Sequence, residues 1–319
     1  MKILVTGGAG FIGSNLVEKL LLDERTSLVR VLDNLATGSM ENISAFTGDP
    51  KFEFVNGDIR DFETCMAACK GIDLISHQAA LGSVPRSVAD PLTTNNVNIT
   101  GTLNIFTAAK ENKVKRVVYA ASSSTYGDHP GLPKVEDKIG NPLSPYAVTK
   151  YVNELYARVY ANLYGVQFIG LRYFNIFGPR QNPNGPYAAV IPLFAEAVLN
   201  NQAPTINGDG LHSRDFTYVD NAVLANTLSL FTTSDEAVNQ VYNIACGEQT
   251  TLMELFNNLK AEAGSQLEPI HGPERTGDVK HSLADISRAA DKLGYRPVMT
   301  VKEGLKKTLN WYKAKSKKS

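Results

Sequence analysis

Tyr146 and Lys150 stand four residues apart in Tyr146-Ala-Val-Thr-Lys150, and Ser122-Ser123-Ser124-Thr125-Tyr126-Gly127 begins 24 residues ahead of the tyrosine. On a helix, side chains at i and i+4 share a face, so the phenol and the ammonium come together. A free tyrosine titrates near 10 and must fall by about three units, roughly 4 kcal/mol, to act as a base near neutrality. An adjacent ammonium and the positive ring of an oxidised nicotinamide supply such a shift. A Ser122 hydroxyl can polarise the same substrate oxygen. The chemistry these groups suit is removal of an alcohol proton while hydride leaves the attached carbon. A Tyr-x-x-x-Lys alone is a frequent coincidence; its weight here comes from Ser122 and from the opening Gly7-Gly8-Ala9-Gly10-Phe11-Ile12-Gly13.

Those glycines fall between a predicted strand, Lys2–Thr6, and a predicted helix, Phe11–Leu22, the setting that turns a common pattern into a phosphate loop. Gly7 permits the tight turn, Gly10 lets a pyrophosphate approach the backbone, and Gly13 lets the helix pack closely on the sheet. Amides at the helix start, at Phe11 and Ile12, then meet the negative charge. Asp33 ends the next predicted strand, Leu28–Asp33, 20 residues past Gly13. A carboxylate there accepts ribose hydroxyls and repels a 2′-phosphate, which favours NAD over NADP. Asn34 follows it, with no Arg or Lys. Asp58-Ile59, at the end of the third strand, is placed to touch adenine; a plain helix N-cap at Asp58 is the other reading.

Such residues need a scaffold that brings strand ends to one edge. Strands are predicted at Lys2–Thr6, Leu28–Asp33, Phe52–Asn56, Leu74–His77, Arg116–Ala121 and Val166–Leu171, with helices at Phe11–Leu22, Asn95–Asn112 and Ser144–Leu163. Strands separated by helices argue an α/β fold with a Rossmann-type doubly wound parallel sheet. Ser122 then sits at the carboxyl edge, where such sheets bind ligands. Beyond Tyr173 the texture changes. Gly178, Pro179, Pro183, Gly185, Pro186 and Pro192 punctuate a loop, followed by a helix at Leu193–Asn200 and strands at Thr205–Asn207 and Asp215–Val219. Helices at Leu252–Ala261, Ile286–Lys292 and Val301–Tyr312 close the chain. The division read from this is a cofactor domain over 1–173, with returning segments near 213–246, and a smaller mixed α/β substrate-binding lobe over most of 174–319.

At 319 residues the chain can bury a sizeable core. Lys+Arg and Asp+Glu each number 32, and the one basic run, Lys313 to Lys318, reads as a solvated tail, so nucleic-acid binding through bulk charge is disfavoured. No apolar run approaches the ~20 residues a membrane helix needs, and nothing ahead of the first strand is built like a secretory signal. The expectation is a soluble, cytoplasmic protein with no membrane partner. Cys65 and Cys69, at i,i+4 spacing, read as buried reduced thiols, and Cys246 is the third cysteine. His77 reads as a packing residue, and His129, His212, His271 and His281 lack metal-ligand spacing, so no metal is expected. Glu136 and Asp137 are adjacent, diverge, and read as loop or cap residues.

The glycine loop, the serine run with Tyr126-Gly127, the Tyr146/Lys150 pair and Leu171-Arg172-Tyr173-Phe174-Asn175 together resemble the extended short-chain dehydrogenase/reductase family, over nearly the whole chain. Within it they resemble nucleotide-sugar 4-epimerases, nearest to the bacterial UDP-N-acetylglucosamine 4-epimerases of O-antigen and capsule pathways. Gly82-Ser83-Val84-Pro85-Arg86-Ser87, Tyr187-Ala188-Ala189-Val190-Ile191-Pro192 and Arg275-x-Gly-Asp278-x-x-His281-Ser282 carry the finer match. The resemblance implies a triad of Ser122, Tyr146 and Lys150 and permanently bound NAD. It also implies Lys150 on the nicotinamide ribose, Tyr173 behind the nicotinamide, and Ala79 and Ala80 in the cofactor set. Ser123, Ser124, Gly82, Ser83, Ala189 and Val190 would lie towards the sugar nucleotide, with Asn175, Arg214, Arg275 and Asp278 holding its UDP part. Two arginines are what a diphosphate requires. A homodimer through two packed helices is implied as well.

Two departures narrow the reading. The family's 4,6-dehydratases carry an Asp-Glu pair just after the catalytic hydroxyl, whereas Ser122 is followed by Ser123-Ser124. Ser282 stands where epimerases restricted to plain hexoses carry a tyrosine, which leaves room for an N-acetyl group; a helix cap near Asp285 is its other reading. The expected activity is reversible C4 epimerisation of UDP-GlcNAc and UDP-GalNAc, with UDP-glucose and UDP-galactose as further substrates, through a 4-keto intermediate. The alternatives are a UDP-GlcNAcA/UDP-GalNAcA 4-epimerase, in which Arg86 or Ser83 meets the extra carboxylate, and a non-catalytic nucleotide-binding scaffold. An intact Ser-Tyr-Lys set argues against the scaffold.

Overall fold

A computed structural model describes residues 1–183, 188–273 and 280–316. In the first half, strands Lys2–Thr6 (β1), Leu28–Asp33 (β2), Phe52–Asn56 (β3), Leu74–His77 (β4), Arg116–Ser122 (β5) and Gln167–Tyr173 (β6) alternate with helices. Those helices are Phe11–Leu21 (α1), Phe62–Cys69 (α2), Val84–Ala89 (α3), Pro91–Asn95 (α4), Thr102–Glu111 (α5) and Pro145–Tyr164 (α6). The second half runs Ile176–Phe177 (β7), Val190–Leu199 (α7), Thr205–Asn207 (β8), Ser213–Arg214 (β9), Thr217–Tyr218 (β10), Val219–Phe231 (α8) and Gln240–Ile244 (β11). Thr250–Thr251 (β12), Leu252–Ala263 (α9), Ile270–Gly272 (β13), Ser287–Leu293 (α10) and Val301–Ser316 (α11) complete it.

Seven strands form one sheet in the order β3-β2-β1-β4-β5-β6-β11, and every pairing in it is parallel. Apolar residues alternate across it. Ile3, Val5, Val29 and Val31 join Leu16 and Leu20 of α1 on one face. Leu4, Leu32 and Ile75 join Phe106 of α5 and Ala157 of α6 on the other. Burial on both faces is what a parallel sheet covered by helices demands. Gly7 follows β1 and Ala79 follows β4, the neighbouring strands at which the chain reverses direction across the sheet. That switch point is where an open α/β sheet binds its ligand.

Several expectations change. Asn95–Asn112 is not one helix: a π-helical turn, Asn96–Gly101, joins α4 to α5. Gly101 lies there against Ile59, whose Cδ1 is 2.6 Å from where a Cβ would stand. The N-cap of α2 is Asp61, which accepts from the Glu63 amide, not Asp58. The strand read at Asp215–Val219 shrinks to β10, because Val219 already begins α8 and the Asp215 carboxylate is buried as an acceptor for the amides of Cys246, Gly247 and Ala284. Several elements lacked a predicted counterpart, β11 and α8 among them. β11 is short and lies beside β6. α8 is buried on most sides, Asn221, Asn226, Thr227 and Ser229 included, so it shows no apolar stripe to betray it.

Candidate active site

The catalytic helix is fixed before its chemistry begins. Ser144 caps α6 by accepting from the Ala147 amide, Pro145 takes the first turn, and Gly165 at φ 71° ends the helix in the left-handed region. The Tyr146 amide donates to Ser87 Oγ at 3.0 Å, which ties the helix start to α3. One turn on, Lys150 is 4% exposed and its Nζ donates to the Ala120 carbonyl at 2.9 Å. The ammonium stands 5.9 Å from the Tyr146 ring centroid. Burial pulls its pKa down to about 8.

Ser122 comes from the neighbouring strand end, in register with Tyr173 of β6. Its Oγ accepts from the Ser124 amide at 3.1 Å and from Ser124 Oγ at 2.9 Å. With two bonds accepted, the hydroxyl's own hydrogen is left to donate, and the bond between Ser122 and the Tyr146 side chain holds the tyrosine's pKa down. Burial works the other way and dominates, so in the chain alone Tyr146 titrates above its ordinary 10.0. The fall expected from the sequence is therefore not built into the chain's own residues.

At the other end of the sheet edge, Gly7 adopts φ 68°, and a Cβ there would stand 2.6 Å from the Ala79 amide nitrogen. A Cβ on Gly13 would lie 2.1 Å from the Gly7 carbonyl, whereas one on Gly10 meets only that oxygen, at 3.1 Å, and otherwise fills the cavity space a phosphate needs. No side chain caps α1. Asp33, 8% exposed, accepts from the Ala9 amide at 2.9 Å and the Leu35 amide at 2.8 Å, and burial raises its pKa against those bonds. Asp58 accepts both Arg60, at 3.0 and 2.7 Å, and Asn34 Nδ2, at 2.8 Å, and Arg60 chiefly holds it down to about 2. An uncapped helix start behind a glycine cradle, with a buried carboxylate one strand away, fits a dinucleotide.

One cavity of ≈ 810 Å³ joins these parts. Its wall includes Gly7, Gly10, Phe11, Ile12 and Gly13 at the loop, with Asp33, Asn34, Asp58 and Ile59 beyond the ends of β2 and β3. Ala79, Ala80, Gly82 and Ser83 follow β4, and Ser122, Ser123, Ser124, Tyr146, Lys150 and Tyr173 close the far end beside Asn175 and Ala189. Val190, Arg214 and Ser282 are not on that wall. Val190 starts α7 behind Ala189. The Arg214 guanidinium donates to the Ser213 and Lys280 carbonyls, and the Ser282 amide donates to the Ser213 carbonyl. Arg275 and Asp278 lie outside the described residues. Ser282 caps no helix, since α10 starts at Ser287 after Ile286.

Sequence reasoning missed Gln78, Thr37 and Arg60, which also line the cavity. Gln78 stands one residue past a strand end, which was the signal available. His77 is buried between Thr6 Oγ1, 2.7 Å from Nδ1, and Thr102 Oγ1, 2.9 Å from Nε2. Thr102 gives its hydrogen to the Asn98 carbonyl, so it accepts from Nε2–H and the ring is the neutral Nε2-protonated tautomer. Among the described residues no cluster of His, Cys, Asp or Glu could hold a metal, and no helix is long and apolar enough to cross a membrane. Glu136 lies in a turn, as read, but it is buried, and its carboxylate accepts the Asn243 amide of β11 at 2.9 Å.

A doubly wound sheet whose carboxyl edge gathers a glycine loop, a ribose-directed carboxylate and a Ser-Tyr-Lys set defines a dinucleotide-dependent enzyme class working on alcohol carbons. The chain belongs to the NAD dependent epimerase/dehydratase family, whose sequence model matches residues 3–245. Its cofactor is NAD. It is 39% identical over 318 residues to a UDP-glucose 4-epimerase of Mycolicibacterium smegmatis, covering 99% of this chain and all of that one. Among solved structures it resembles the UDP-N-acetylglucosamine 4-epimerase of Methanobrevibacter ruminantium in complex with UDP-N-acetylmuramic acid, at 41% identity, TM-score 0.92 and 98% coverage of each chain. It also resembles the Thermus thermophilus UDP-glucose 4-epimerase complexed with NAD, at 37% identity and TM-score 0.87, with 98% of this chain and 99% of that one covered.

Proposed function

We propose that this chain is a UDP-sugar 4-epimerase that interconverts UDP-GlcNAc and UDP-GalNAc. The observation that carries the reading is the meeting of Ser122, Tyr146 and Lys150 at the end of one cavity that begins at the glycine loop. NAD would be held by the loop amides and Asp33 and would supply a reversible hydride acceptor for C4. Tyr146 takes the C4 hydroxyl proton, and the Ser122 hydrogen steadies the oxygen from the opposite side. Lys150, a turn away and desolvated, places its charge where the phenolate forms. No net oxidation results, so the cofactor need not leave. The absence of an Asp-Glu pair after Ser122 removes the acid and base that elimination would need.

The preference for N-acetylated sugars rests on the resemblance, which sets a small Ser282 where epimerases restricted to plain hexoses carry a tyrosine even though Ser282 is off the wall of the cavity described above, and on the named substrate of the Methanobrevibacter relative. Arg214, on β9 beside the 280–282 segment, would meet the diphosphate together with Arg275. The test is Ser282→Tyr. An overpacking cost of about 1–3 kcal/mol lowers the acetylated-to-plain ratio of kcat/KM roughly 5- to 150-fold. Equal losses on UDP-GlcNAc, UDP-GalNAc, UDP-glucose and UDP-galactose would remove Ser282 from substrate choice.

A second copy of the chain is the proposed partner. α6 leaves Val148, Leu155, Val159 and Leu163 exposed, and Val88 of α3 and Leu92 of α4 are exposed as well. Light scattering should give twice the chain mass, and Leu155→Glu/Val159→Glu should halve it. Residues 1–173 with the 213–246 segment would serve as the cofactor-holding part, and the remainder as the substrate lobe.

A further inference from the structure

Four polar side chains behind the catalytic end form a closed hydrogen-bond ring. Asn226, on α8 and 0% exposed, donates from Nδ2 to the Tyr173 hydroxyl at 2.7 Å and to the Ala222 carbonyl at 2.8 Å. Its Oδ1 accepts from Ser76 Oγ at 3.1 Å and from Gln78 Nε2 at 3.0 Å. Gln78 Nε2 also donates to Ser76 Oγ at 2.9 Å, and its Oε1 accepts the Tyr173 hydroxyl at 3.1 Å. All four positions of the Asn226 amide are thus used, and each hydrogen has one place to go. Turning that amide over would set NH₂ against NH₂ and oxygen against oxygen. Burial pushes the Tyr173 phenol up to about 12, so it stays a donor.

The ring does something the sheet alone cannot. Gln78 leaves β4 and Tyr173 ends β6, two strands separated by β5, yet both side chains line the cavity. Asn226 lies outside the cavity wall and joins them across β5 from the α8 face. We infer that Asn226 is a positioning residue for the cofactor: it locks Gln78 and Tyr173 into a single wall against which the nicotinamide end is held. This inference rests on reading that end of the cavity as the nicotinamide end. Buried networks of this kind, fully satisfied, specify one arrangement; a broken one leaves its members free to turn.

The test uses Asn226→Leu in the full-length protein as purified. Bound NADH is loaded, and its release into excess NAD is followed by loss of its emission. Release should be about tenfold faster than in the parent, since partners set adrift in a buried wall no longer hold the ring, while affinity for UDP stays within about twofold. In a Tyr173→Phe/Gln78→Leu background the same change should add less than threefold, because its targets are already gone. Release within threefold of the parent, or an equal effect in both backgrounds, overturns the role. The melting temperature of the cofactor-stripped forms separates a general loss of packing from a loss at the wall. Should the leucine variant not fold, Asn226→Asp, which keeps both acceptor bonds and loses the donation to Tyr173, is measured against the same limits. A parent protein that binds no NAD(H) would overturn the cofactor reading and this inference with it, whereas a parent that binds it and a variant that holds it equally well overturn Asn226 alone.

Discussion

Glu154 lies one turn beyond Lys150 on α6 and receives the Arg172 guanidinium from β6 in two parallel bonds, Nε to Oε1 at 2.8 Å and Nη2 to Oε2 at 2.7 Å. The two side chains are 6% and 4% exposed. Burial alone would draw the guanidinium's pKa down; the carboxylate outweighs it and holds it above its ordinary value. Glu154→Gln preserves shape and deletes the charge. It leaves the buried cation with the Glu136 carbonyl, at 2.9 Å, the Tyr126 ring, 4.8 Å to centroid, and the more distant charges of the Glu136 and Asp137 carboxylates. Breaking a buried pair on one side costs about 3–5 kcal/mol. At ~2–3 °C per kcal/mol for a chain this large, Tm should fall by roughly 6–15 °C. Scanning calorimetry on the NAD-saturated protein measures it, beside Glu154→Leu/Arg172→Met, in which both charges are gone and the loss should be small. A single variant within 2 °C of the parent, or a double that falls as far as the single, would refute the view that this pair clamps the catalytic helix to the sheet.

Tyr146→Phe keeps the ring and removes the proton acceptor, so turnover should drop by roughly 10²–10⁴ with UDP-sugar binding kept, and Ser122→Ala should cost less; steady-state kinetics and calorimetric binding read both. Asp33→Ala should weaken NAD and relax discrimination against NADP, checked by identifying the nucleotide that co-purifies; NADP as the native occupant would contradict its role. His77 is buried as a neutral ring whose pKa is lowered from 6.5 to about 3 by burial first and by Lys150 second. A depressed histidine stabilises the fold fully above pH 6.5 and loses that contribution as pH falls towards 3, because only the unfolded chain takes up the proton. Urea midpoints should therefore show about 3 kcal/mol lost between pH 7 and 4.5 from this group, and His77→Gln should flatten that limb.

What was readable from residues was the part whose chemistry is local. The glycine loop needs the positive φ of Gly7 and the missing Cβ of Gly10 and Gly13, so the β1–α1 turn and Asp33 stood out. Tyr146 and Lys150 announced their shared face through helical spacing. What stayed hidden depends on packing between distant segments. α8 carries two buried asparagines, Asn226 with partners at β4 and β6 and Asn221 with partners at Val298 and Met299, so its pattern matched no amphipathic template, and Asn226 went unseen with it. Asp58, read first as an adenine contact, kept a helix cap open as its second reading, since caps and such turns favour the same residue; Asp61, three residues on, is the cap. Glu136 does lie in a loop, but its burial stayed hidden because its partner, the β11 amide of Asn243, is over a hundred residues away in sequence.

The central claim is inversion at C4 with NAD held throughout. The purified protein, given UDP-GlcNAc and no added nucleotide, should produce UDP-GalNAc, seen by proton NMR as the change in coupling at H4. Started from UDP-GalNAc, it should reach the same final ratio, and the Tyr146→Phe protein should produce neither. A 4-keto-6-deoxy product, or no change at C4 in any of UDP-GlcNAc, UDP-GalNAc, UDP-glucose and UDP-galactose by a protein that carries bound NAD, would contradict it.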